Sequence, residues 1–142
     1  MNLHSFASVL IALFYFMAVV AGNADTPLES AMKQMSSVYK ELSFDLQQPH
    51  DENKVHYLTL AGIFKNQVQV SRGLVPKKVA TIPPDQRAAM VKAYQKSIDG
   101  LILSIDLLAQ DIQNSKWDDA RKVMAAIKQQ MIYGHRDFRI NN

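Results

Sequence analysis

His135 is the side chain of this sequence best suited to holding a metal. It lies near the end of Trp117 to Arg139, a stretch in which Ala120, Met124, Ile127, Met131 and Phe138 recur at steps built from fours and threes. That spacing draws one apolar stripe down a helix. His135 falls on the stripe, four residues after Met131. An imidazole on such a face needs a partner for its ring nitrogens: a neighbouring side chain, a backbone carbonyl or a metal. We read the stretch as a metal-ligand helix, against the ordinary alternative of a satisfied core or rim histidine.

Other chemistries lack their residues. A carboxylate-bridged di-iron bundle needs about four inward Glu and two Glu-x-x-His pairs, whereas Glu occurs only at positions 29, 41 and 52. Covalent haem attachment needs Cys-x-x-Cys-His, and the chain has no cysteine. His50 and His56 are six residues apart across an expected helix start, a poor spacing for a shared metal, and both are expected in solvent. No glycine-rich phosphate loop and no nucleophile–base pair stands out.

Four helices are expected to position these residues. Thr26-Pro27-Leu28-Glu29 has the parts of a helix start: a Thr cap, Pro at the first helical position and Glu two residues later to close a capping box. Helix 1 then extends to about Gln47 with a seam of Leu28, Met32, Met35, Tyr39, Leu42 and Leu46. Helix 2, from about Glu52 to Arg72 with Asp51 as its cap, spreads Val55, Leu58, Leu60, Ile63, Phe64, Val68 and Val70 over more than one face, and Gly73 stops it. Leu74 to Pro84, with three prolines, is expected as a long loop. Helix 3, about Asp85 to Gln113, carries the most regular apolar spacing, and Ser115, with Asp118 three places on, is expected to cap helix 4. The expected fold is all-α: an antiparallel up-down-up-down four-helix bundle.

The first 24 residues stand apart. Phe6 to Ala21 is apolar except for Ser8 and ends in Gly22-Asn23-Ala24, the small residues of a cleavage site, so residues 1–24 read as a secretory signal and 25–142 as the exported domain. The competing reading is an uncleaved anchor, because the leader has no Lys or Arg, but its apolar run is shorter than the ~20 residues of a comfortable span. Export to the periplasm, without stable membrane insertion after cleavage, is the expectation. All charged residues follow position 24, the net charge is +3, and no like-charge run exceeds two residues, a pattern that argues against a nucleic-acid surface.

In such a bundle helices 1 and 4 are neighbours of opposite direction. Met32 lies six residues past Thr26, about 9 Å along the axis, and His135 lies at a similar height near the other end of the chain. A thioether and an imidazole converging from two helices suit the two axial positions of haem iron. Met also fills core gaps, so a haem-free bundle serving as an interaction or stress-response module stays open as the alternative.

Leu28-Glu-Ser-Ala-Met32, the ending His135-Arg-Asp-Phe-Arg139, Tyr94-x-x-x-Ile98-Asp99 and Pro76-Lys77 together resemble the soluble periplasmic b-type cytochromes of the cytochrome b562 group. The resemblance covers essentially the whole exported chain. It implies one non-covalent haem b, Met32 and His135 as axial ligands, Leu28, Met35, Tyr94 and Ile98 as pocket walls, and Arg139 near the haem edge. It further implies electron transfer to unidentified redox partner proteins rather than enzymatic turnover. The sequence departs from the family pattern at Gly134, where Tyr is common, and at Ile98, where Phe is usual. A glycine there predicts fraying before His135 or a neighbour too close for a side chain.

Overall fold

The computed structural model describes residues 25–140, so the expected leader lies outside the described residues. Within them the chain is all-helical. Five α-helices pack together: α1 (Pro27–Asp45), α2 (Lys54–Arg72), a short α3 (Lys78–Thr81), α4 (Pro84–Gln113) and α5 (Trp117–Phe138), with a 3-10 turn at Asp51–Asn53. None of the described helices is long and apolar enough to cross a membrane.

The start of α1 forms as its residue types dictate. Thr26 Oγ1 accepts from the Glu29 N–H at 3.2 Å and Glu29 Oε2 accepts from the Thr26 N–H at 2.8 Å, so the capping box is closed in both directions. Seam residues Met35, Leu42 and Leu46 are buried, while Leu28, Met32 and Tyr39 are partly buried against the same core.

α2 is more regular than expected. Tyr57, Leu60, Ala61, Phe64, Val68 and Ser71 form one buried face at three- and four-residue steps, and Val55, Ile63 and Val70 are exposed. The β-branched outer residues blurred the pattern in the sequence, where burial cannot be separated from hydrophobicity. Gly62, which the sequence suggests as an interruption of helix 2, is exposed, and α2 continues through it. Gly73 ends α2 in a right-handed conformation (φ −81°, ψ −3°), its N–H turned onto Val70 O at 3.3 Å, so the stop needs no left-handed residue.

The segment expected as a plain loop contains α3. Val79 is buried, and Arg87 donates to the carbonyls of Ala80 and Ile82, groups that a four-residue helix leaves unpaired. Two cap expectations fail. Asp51 makes no side-chain cap, and Ser115 does not cap α5, which starts from Lys116 without a side-chain bond. Ser115 instead adopts a positive φ of 54° and donates its hydroxyl to Asp51 Oδ1 at 2.6 Å, tying two connections of the fold together.

One core unites the four long helices. Phe64, Leu42, Ile105, Leu108, Ile112 and Ile127 are fully buried within it. α2 packs on α1 and α4, and α4 packs on α5. α1 meets α5 through Tyr39, whose hydroxyl donates to Met124 O at 3.4 Å, and through Arg121, which donates to Leu46 O at 3.1 Å.

Candidate functional site

A cleft of about 510 Å³, its open mouth included, lies where α1, α4 and α5 come together. The space inside it that a water-sized sphere can enter is about 50 Å³, well below the ~300–1,000 Å³ of small-molecule and cofactor sites, so a bound cofactor would need the walls to move apart. α1 contributes Met32 and Met35, α4 contributes Tyr94, Ser97, Ile98 and Leu101, and α5 contributes His135 and Phe138 among others. The helical repeat sets these positions. On α4, residues 94, 98 and 101 share one face, and on α5 residues 131, 135 and 138 do.

Five of the seven residues singled out from the sequence therefore line one cleft: Met32, Met35, Tyr94, Ile98 and His135. The other two do not. Leu28 packs against the core beside the cleft, and Arg139 is exposed just past the end of α5, its N–H bonded to His135 O at 3.0 Å.

His135 is exposed at the cleft's mouth rather than buried on the stripe, because α5 there runs beyond the last fully buried turn at Ile127. Its pKa is nonetheless pushed below the ordinary 6.5, first by partial desolvation of the ring and second by the nearby Arg139 guanidinium. The shift favours the neutral imidazole, whose ring nitrogen then has a lone pair for a metal or a proton donor. Among the described residues it makes no side-chain hydrogen bond or ion pair.

The remaining walls are apolar with a few polar points. The Tyr94 and Phe138 rings meet edge-to-face, with centroids 5.3 Å apart, and the Tyr94 hydroxyl donates to Ser71 O at 2.7 Å, so the phenol points away from solvent and is locked. Burial pushes the Tyr94 pKa up. Gln130 donates its amide to Ser104 Oγ at 3.0 Å and leaves Oε1 buried without a partner. Gln130 was missed because a polar residue next to Met131 is invisible to an apolar template; its four-residue step to Gly134 was the available signal.

Gly134 has neither of its expected effects. α5 continues through it to Phe138, and a Cβ built on it meets nothing within 4 Å. It opens the cleft instead.

The connection between α2 and α4 braces this end. Lys77 reaches Glu29 Oε1 at 2.8 Å, and Lys78 donates to Asp137 O at 2.7 Å. Consecutive lysines thereby hold the first turn of α1 and the last turn of α5, the two elements that bring Met32 and His135. The Lys77 hydrogen bond is the main cause of a Glu29 pKa lowered to about 2, with the Thr26 N–H second.

His50 and His56 are exposed, as expected, and His56 Nε2 lies 3.3 Å from Asp45 and 3.7 Å from Glu41. No protein-family model, no curated protein and no solved structure matches this chain.

Proposed function

We propose that this chain is a periplasmic electron-transfer protein of the cytochrome b562 kind, an up-down-up-down antiparallel four-helix bundle that holds one non-covalent haem b. The observation that carries the reading is that Met32 and His135 both line one apolar cleft. The donor set fits the group: a soft thioether and a neutral imidazole are the pair that holds low-spin haem iron. The space left at Gly134 and the unpartnered Gln130 Oε1 fit a cleft made to receive a further molecule.

Met32 and His135 would hold the haem iron, Met35, Tyr94, Ile98 and Leu101 would exclude water, and Arg139 would stand near the edge. The bound iron supplies a one-electron couple. With two protein residues holding the iron, no position would be left for a substrate, in keeping with transfer rather than turnover, and a Met ligand would raise the reduction potential.

The test is an absorption spectrum of the exported chain with one equivalent of haem added. A six-coordinate low-spin spectrum is expected. A five-coordinate spectrum, or unbound haem with no change in unfolding temperature, would support the haem-free interaction module instead.

A further inference from the structure

Glu41 and Asp45 stand four residues apart on α1, which sets their carboxylates one above the other on a single helix face. His56 comes from the first turn of α2, on the far side of the connection between the two helices. Its Nε2 lies 3.7 Å from Glu41 Oε1 and 3.3 Å from Asp45 Oδ2, and donor atoms of all three groups lie within 4.8 Å of one another. Both separations exceed the ~2.7–3.2 Å usual for an N–H···O hydrogen bond. The shorter one matches the roughly 3.3–3.6 Å between two ligand atoms that share a tetrahedral cation at ~2.0–2.2 Å, and the longer lies just beyond it, within reach of a small turn of the Glu41 side chain.

Many carboxylates are neutralised by Lys or Arg, as Glu29 is by Lys77, Asp99 by Arg72 and Asp106 by Lys65, while Glu52, Asp85 and Asp111 have no such partner among the described residues. Among the described residues Glu41 and Asp45 have no such partner, and the imidazole is the one group they face. Two carboxylates one helical turn apart thus remain without a cation in a chain that carries a net charge of +3.

We infer that Glu41, Asp45 and His56 form a binding site for a divalent transition-metal ion of the zinc class. Imidazole nitrogen favours such ions over calcium and magnesium, which take six or more oxygens, and three protein ligands leave at least one position for water. Asp45 is 13 residues from Met32, about 20 Å along the axis of α1, so this site is separate from the cleft and does not rest on the haem reading. A bound ion joins the last turn of α1 to the first turn of α2 and clamps the connection between them. Because the unfolded chain does not hold the three ligands together, ion binding is linked to folding.

Titrating zinc chloride into the exported chain, followed by calorimetry and thermal unfolding, tests the site. One ion per chain is expected, with an unfolding temperature raised by on the order of 5–10 °C at a hundred times the dissociation constant. His56→Ala should weaken binding by about tenfold or more and remove the shift, Glu41→Gln should weaken it while leaving the fold intact, and magnesium chloride should do neither. Zinc binding that is unchanged in His56→Ala, or an absence of both heat and stabilisation in the unmodified chain, would overturn the assignment.

Discussion

The two residues offered as iron ligands are unequal, and the inequality is measurable. His135 is the stronger donor and sits in the last turn of α5, braced by Lys78 on the Asp137 carbonyl. Met32 is a softer ligand on the firmly capped α1, with Met35 one turn away in the same cleft. His135→Ala is expected to lose most haem binding, whereas Met32→Ala should keep haem but turn it high-spin or lower its potential. The reverse pattern in titrated spectra would reject the assignment. Glu29 offers a test that needs no haem. With its pKa lowered to about 2 from 4.5, its ion pair and cap contribute stability above pH 4.5, and that contribution fades as pH falls toward 2. The gap in unfolding temperature between the unmodified chain and Glu29→Gln should therefore shrink over that window. Added salt should narrow it further at neutral pH, since the Lys77 pair is exposed.

At the scale of elements, the glycines separate helix stability from cleft shape. Gly62 and Gly134 both lie inside helices, and a methyl group added at either would meet no atom within 4 Å, so Ala at either should stabilise the haem-free chain by up to ~1 kcal/mol. They differ in what they face. Gly62 is exposed on α2 and Gly134 lines the cleft, so only Gly134→Ala is expected to weaken haem binding. Denaturant unfolding of both variants, beside haem titrations, reads the two effects independently. Equal haem affinity in the two variants would show that Gly134 is not part of a haem wall.

For the whole molecule, stability rests on the core shared by α1, α2, α4 and α5. Phe64 is fully buried at its centre, and Phe64→Ala should cost roughly 3–5 kcal/mol, a large fraction of the ~5–15 kcal/mol of a typical domain. Val55→Ala, at a site 77% exposed on the same helix, should change stability by no more than ~0.5 kcal/mol. Haem at a hundred times its dissociation constant should add about 2.7 kcal/mol if it binds only the folded chain. Parallel thermal melts check all three.

The chain's local order was legible because it is written in short-range chemistry. The Thr26 to Glu29 cap, the α4 seam from Tyr94 to Ile112 and the α5 stripe through Ile127 each depend on residues a turn or two apart, and the structure bears them out. Met32 and His135, singled out from the sequence, both line one cleft. What sequence could not decide was set by contacts between distant parts of the chain. Val79 turns part of the proline-rich segment into α3 by being buried, Ser115 gives up a cap to bond Asp51, and Lys77 and Lys78 bridge to α1 and α5. The rim position of His135, the open side of Gly134 and the approach of His56 to Glu41 and Asp45 belong to the same class. A periodic pattern states which face of a helix is apolar; only the packed neighbours determine how much of that face is covered and what meets the groups beside it.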